Sequence, residues 1–397
     1  MVSRHSPGPL PLTVLWMSGV VAAAVPNAPP QLCVNNICSA APTLTPPVSA
    51  TQTQVKWHPG HYMLSNEADR SADGQTASKR YEQGLVVAAG PNVVGWAGVY
   101  TWDILEPTKG NYDFSHIDAD IAALSGKRII IGIVTGYSPS NHLPPYILND
   151  ASYGPSPNAG QYGFWTIYSG AGVIGAKWRS SVNSRWIALI KALGARYDSN
   201  PLVEAIVDHD ETAWNLDGGS DYSIAGFRAQ WDALGTAAAA ALPTTNFVQQ
   251  HNWVQGGSIQ DSADFTQDAY TRRVAFGGPD IFGYSTAHSN PAYVWSQGAF
   301  MGGAGTTPGT DYRGKMAAIH DVQSPELTGG LGTYTPQDIF NFADGDLHVD
   351  HILWNYVGGT GPGNWNGGAN SVLALINAHP VTHKGCPAAY TSGCRTN

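Results

Sequence analysis

The 397-residue sequence predicts an α/β fold, a (β/α)8 TIM barrel with long βα loops. Three observations predict it. Strand-like apolar runs alternate with amphipathic segments of helical period eight times between Val55 and Ala378. No Gly-rich phosphate turn follows the first strand, as a doubly wound sheet would ordinarily need. The composition, 43% hydrophobic and 12% charged with Gly 46, Trp 13 and Tyr 18, describes a folded chain with many tight loops and an aromatic-lined surface rather than disorder.

Taken in order, strand one falls near Val55–Met63 and its helix around Lys79–Ala89. Strand two, Asn92–Thr101, is an apolar run, and a short helix with Ile117, Ile121 and Leu124 on one face follows it. Strand three is Arg128–Thr135. A long loop, Gly136–Ala176, separates it from a helix at Trp178–Tyr197 that carries Val182, Trp186, Leu189 and Leu193 at helical spacing. Strand four is Leu202–His209, and its helix, Ser223–Ala241, buries Ile224, Phe227, Trp231 and Leu234. Strand five is Asn246–Trp253 with a helix near Phe265–Phe276; strand six is Ile281–Ser285 with a helix near Ala292–Phe300. Strand seven, Lys315–Val322, is followed by a helix at Pro336–Phe342, and strand eight, Val349–Tyr356, by a helix at Ala369–Ala378.

Ahead of the barrel, residues 1–24 read as a signal peptide. Arg4 and His5 make a weak basic start, Pro9 to Ala24 is mostly apolar, and Ala22-Ala23-Ala24 offers a small-residue cleavage site. The apolar stretch is too short and too interrupted by Pro to predict a span in the mature protein. Residues 25–53 form a Pro/Thr-rich N-terminal extension, and 54–397 the catalytic barrel. Cys33 with Cys38 and Cys386 with Cys394 fit two local disulfides formed after export, with four reduced thiols as the alternative. Secreted or periplasmic localisation follows from the leader. The net charge of −9 without a Lys/Arg run excludes a nucleic-acid groove.

Cofactor and metal motifs are decoys. Gly170–Gly175 matches G-x-G-x-x-G, but it follows a long loop and lacks the acidic residue ~20 positions on. Asp344, Asp346 and Asp350 lack the Gly and bidentate Glu of a calcium loop. No catalytic-zinc spacing and no G-x-S-x-G elbow occurs, so no cofactor and no metal are expected.

In such a barrel the chemistry gathers at the C-terminal ends of the strands. There the sequence places His61 and Tyr62, Trp102 and Glu106, Asp208, Asp210 and Glu211, His251, Asn252 and Trp253, Tyr284 and His288, Asp321 and Glu326, and Trp354 and Asn355. Several carboxylates with aromatics around one pocket suit glycoside hydrolysis, in which one carboxyl protonates the leaving oxygen and another attacks or supports the anomeric carbon.

Two segments carry a family resemblance. Trp102–Asp118, WDILEPTKGNYDFSHID, resembles the second βα unit of clan A glycoside hydrolases, and Arg196–Val203, RYDSNPLV, resembles the run that leads through their strand four to Asn-Glu. The resemblance implies a retaining hydrolase of a poly- or oligosaccharide. Glu211 would be its acid/base and Glu326 its nucleophile, with Asp321, nearer the strand end, as the alternative. Asp210 stands where the family has the Asn that holds a sugar hydroxyl; it can accept but not donate as an amide does. Trp354 resembles the strand-eight Trp that floors the sugar subsite, and Tyr284 would orient the nucleophile. His251, Trp253, His288, Trp102 and His61 are further candidates for substrate contact. Glu106 reads as a structural ion-pair or turn residue. A barrel that binds carbohydrate without turnover, and a secreted lyase or esterase, are the competing readings.

Overall fold

The computed structural model describes residues 54–65, 77–136, 141–210, 216–251, 254–281, 299–301, 311–328, 334–359, 362–383 and 385–396, with the backbone of two short strands at Cys33–Val34 and Ile37–Cys38. The signal peptide and most of the N-terminal extension expected at 1–53 lie outside these residues, although Cys33 and Cys38 are register partners across an antiparallel ladder.

Eight parallel strands form the barrel: β1 Gly60–Leu64, β2 Val93–Thr101, β3 Arg128–Val134, β4 Val203–Asp208, β5 Asn246–Gln250, β6 Ala275–Gly277, β7 Ile319–Val322 and β8 His351–Asn355. Strands β1 to β6 pair in chain order, β7 pairs with β8, and β8 returns to β1. A parallel bridge between Phe276 and Ala318 joins β6 to β7 and completes the ring. The connecting helices include α1 Ala77–Ala88, α2 Ser115–Ala123, α3 Ser180–Tyr197, α4 Ile224–Ala241, α5 Ile259–Thr271, α6 Pro336–Phe340 and α7 Val372–Ala378. One hydrophobic cluster runs through the barrel and its helix layer. A second, with Trp165, Trp178, Phe227, Trp231 and Phe265, sits under the long loop after β3.

Three elements are corrected. Strand six is Ala275–Gly277, not Ile281–Ser285, and the helix expected to run to Phe276 ends at Thr271. That helix starts early, at a capping box between Ser258 and Asp261. It stops where Arg273 turns to φ 61, a left-handed conformation ordinarily signalled by Gly or Asn. Strand one is also shorter than expected: Val55–Lys56 leaves the barrel to pair with Cys394–Arg395. The long loop is not featureless. It holds an antiparallel hairpin of Phe164–Ile167 with Gly172–Gly175, so the G-x-G-x-x-G glycines build a hairpin and open no helix.

A bulge in β4 decides which side chains face the barrel axis. Ile129 and Ile130 pair with Val203 and Ala205, leaving Glu204 as the extra residue. At the bulge Glu204 crosses to His351 on β8, so it points inward. Above it the alternation is shifted: Asp208 points out to Lys177 and to Trp186 of α3, and His209 points in.

Candidate active site

At the C-terminal end of the barrel, three inward side chains from three strands converge. Gln250, the last residue of β5, donates from Nε2 to Asp321 Oδ2 at 2.7 Å. His209, just past β4, brings Nδ1 to within 3.4 Å of the same oxygen. Asp321 lies on β7, is 3% exposed, and its N–H donates to Gly278 O at 3.0 Å. Two glycines open the space. A Cβ at Gly132 on β3 would come within 2.4 Å of His209 Cδ2. A Cβ at Gly277 on β6 would come within 2.4 Å of Ile319 O and 2.5 Å of Val248 Cγ1.

The same inner face carries two more polar groups. Thr101 closes β2, on the side of Val99, which packs toward Gly132. Asn355 closes β8, on the side of His351 and Leu353. Thr101 Oγ1 and both amide atoms of Asn355 are buried with no hydrogen-bond partner among the described residues. Buried polar atoms without partners are rare and are the places where a ligand can supply the missing bond. Hydroxyl-rich molecules, which donate and accept at each oxygen, suit such a surface.

Beside this centre, Asp208 and Asp210 share Lys177, at 2.6 and 3.0 Å. Asp210 also accepts from Thr135 N at 2.7 Å, and Lys177 stacks 4.7 Å from the Trp186 ring. Burial disfavours the Lys177 charge, but the two carboxylates outweigh it and raise its pKa. Burial raises the Asp208 carboxyl despite Lys177.

The residues expected at the site from sequence divide into three groups. Glu211, Trp253, Tyr284 and His288 lie outside the described residues, and so does the Glu211–Glu326 carboxyl separation. Tyr284 in any case falls beyond β6, whose strand ends at Gly277. Asp210, Asp321 and Glu326 are at the C-terminal end, with different engagements. Asp210 is tied to Thr135 and Lys177. Glu326 is fully buried in the one-turn helix Ser324–Thr328, where Oε2 accepts from Gln323 N at 2.7 Å.

Trp354, His61, His251 and Trp102 sit in the layer between barrel and helices. Trp354 Nε1 donates to His61 Nδ1 at 3.0 Å, and His61 passes its other ring nitrogen to His379 O at 2.7 Å. Both rings are 0% exposed, and burial pushes His61 down to about 4. His251 packs against Trp231 and Phe265, and burial pushes it down to about 3. Trp102 stacks edge-on with Trp186 at 4.9 Å and donates to Glu106 at 2.9 Å; Glu106 pairs with Arg185 and accepts from Gly110 N, the structural role expected of it. Among the described residues, these four rings pack against core partners.

The sequence does not single out His209, Gln250 or Thr101. Gln250 could have been found from strict alternation with Val248, and Thr101 from alternation along β2. His209 could not, because its direction depends on the β4 bulge. Among the described residues no group of His, Cys, Asp and Glu is arranged to hold a metal ion, and no helix is long and apolar enough to cross a membrane. Cys386 and Cys394 form a disulfide.

No family model matches the chain. Among solved structures it is similar to endo-glycoceramidase II from Rhodococcus sp. in a cellobiose-like imidazole complex, with TM-score 0.48 and 12% identity over 82% of this chain and 78% of that one. It is also similar to GH5_18 from Streptomyces cattleya in complex with GlcNAc, with TM-score 0.46 and 10% identity over 86% of this chain and 80% of that one. A D-psicose 3-epimerase in the presence of D-fructose matches at TM-score 0.42 and 12% identity, over 84% of this chain and 94% of that one.

Proposed function

We propose that this chain is a secreted retaining glycoside hydrolase of poly- or oligosaccharides, with Glu211 as acid/base and Asp321, rather than Glu326, as nucleophile. The observation that carries the reading is an inward carboxylate at the C-terminal end of β7, held by a donor from β5 beside an imidazole from β4. That is where a (β/α)8 enzyme gathers its chemistry. Glu326 is the weaker candidate because one of its oxygens caps its own one-turn helix. Glu211 follows Asp210, which two contacts fix at the end of β4, and it belongs to the run that resembles clan A. The partnerless Thr101 and Asn355 supply hydrogen-bonding capacity for sugar hydroxyls. The Cys386–Cys394 disulfide is compatible with an oxidising compartment.

The test is a panel of intact polysaccharides and aryl glycosides, reading the anomeric configuration of the first product by NMR. Net retention is expected. Glu211→Gln and Asp321→Asn should each lower turnover by about 10³-fold or more, following the loss of a required acid or nucleophile. Inversion, or full activity in Asp321→Asn, would remove the assignment. One observation favours a barrel that binds carbohydrate without turnover: the Asp210 carboxylate is already occupied by Thr135 and Lys177. In that case wild type and Glu211→Gln bind sugar equally and neither releases product.

A further inference from the structure

The cluster around Asp321 is assembled from strands that are not neighbours. Gln250 reaches from β5 to β7 past the intervening β6, and it can do so because β6 offers Gly277, its own register partner, at that level. His209 comes from just past β4 and lies against Gly132 of β3, where any side chain would displace the ring. Both groups address the same oxygen, Oδ2. Among the described residues, the flanking strands offer Asp321 a backbone carbonyl and an apolar register partner. Gly278 O, just past β6, accepts its backbone N–H, and β8 places Leu353 in register with it. His320, its neighbour on β7, turns to the other face against Phe276.

We propose that Gln250 and His209 are positioning residues for Asp321: they hold its carboxylate in one orientation and favour its charged form, and Gly277 and Gly132 leave the space that admits them. The inference rests on the reading of Asp321 as nucleophile. In that reaction a carboxylate oxygen of Asp321 forms a bond to the anomeric carbon as the glycosidic C–O bond breaks. The leaving oxygen takes the proton of Glu211, and water then cleaves the ester, returning that proton. A protonated carboxyl cannot attack, and a carboxylate free to rotate reaches the attacking geometry less often. A donor that fixes and stabilises the anion therefore acts on the chemical step rather than on binding.

The experiment uses the full chain labelled with carbon-13 at the aspartate carboxyls, the Asp321 signal being assigned by its loss in Asp321→Asn. Gln250→Met keeps the volume and removes the donor; His209→Gln keeps a donor. In Gln250→Met the Asp321 titration is expected to move up by about one pH unit, a tenfold rise in proton affinity. On a hydrolysed aryl glycoside, kcat should fall about 10- to 100-fold with KM changed less than about threefold, as for the loss of one preorganised donor. His209→Gln should retain most of the wild-type kcat, and His209→Phe should not. An unmoved Asp321 titration in a folded Gln250→Met overturns the proposal, as does a loss confined to KM. If wild type hydrolyses no glycoside, the glycosidase reading fails, and the carboxyl titration still decides whether these residues govern Asp321. If Gln250→Met does not fold, Gln250→Glu takes its place, and an Asp321 titration left unraised by a second carboxylate at that position overturns the proposal.

Discussion

At the scale of single residues, the site is a matter of where side chains are missing. Gly277 and Gly132 are needed for different reasons. At Gly277 the obstacle is backbone, Ile319 O, which cannot move without disturbing β7. At Gly132 it is the His209 ring, which can turn away. Gly277→Ala should therefore cost about 1–3 kcal/mol in urea unfolding, the ordinary range for overpacking. Gly132→Ala should cost less stability and more turnover, since what it displaces is a contact of Asp321. Gly84 in α1 is the control, because a methyl group there would meet no heavy atom within 4 Å. Gly84→Ala should raise stability by about 0.5–1 kcal/mol, the helix-propensity difference. A Gly277→Ala midpoint equal to wild type would show that the close approach is not enforced. The carboxyl at Asp321 is legible from sequence because a polar residue ending an apolar run is conspicuous. Its companions are not, since reading His209 as inward requires knowing that Glu204 bulges.

At the scale of elements, the long insertion after β3 behaves as a brace for the loop that follows β4. Its hairpin bridges Ile167 to Leu216, Trp165 donates to Asp217 O at 2.9 Å, and the Asp217 carboxylate takes the N–H groups of Ser169 and Gly170. Just past the hairpin, Lys177 holds Asp208 and Asp210. The residues on both sides of 211–215 are thus fixed by the same insertion. Removing the cation leaves two buried carboxylates facing each other, and breaking a buried pair in this way typically costs about 3–5 kcal/mol. Lys177→Met should be destabilised by that order in denaturant unfolding, and adding Asp208→Asn should recover part of the loss. Equal stability of the single and double variants would mean the pair is not coupled. From sequence, residues 136–176 look like one loop because Gly-rich segments mask hairpins: Gly170–Gly175 offers little of the β-branched alternation that marks a strand. Helices α3 and α4 are legible because their apolar faces repeat for 18 residues each.

At the scale of the whole molecule, the two ends of the barrel do different work, and the end opposite the site is built for stability. There the C-terminal segment folds back, with Cys394–Arg395 pairing beside Val55–Lys56 and the Cys386–Cys394 disulfide closing the turn. Tyr390 and Trp57 cover the floor, and Trp57 meets His351 edge-on at 5.1 Å. Inside lies Glu204, fully buried. Burial alone would raise its proton affinity, yet hydrogen bonds from His351 at 3.1 Å and His58 at 2.7 Å hold it well below the usual carboxylate range. The alternation of elements announces the barrel, but not this floor, because it joins residues as distant in sequence as His58, Glu204 and His351 through a bulge and a C-terminal return. The folded protein binds the Glu204 proton more weakly than the unfolded chain, whose value is near 4.5. The contribution of Glu204 is therefore complete above that value and is lost as pH falls below it toward the lower folded value. Urea unfolding from about pH 6 to about pH 3 should show stability declining below about pH 4.5, and Glu204→Gln should be less stable at neutral pH with a shallower decline on acidification. Parallel pH curves for the two proteins would move the origin of acid sensitivity away from the floor.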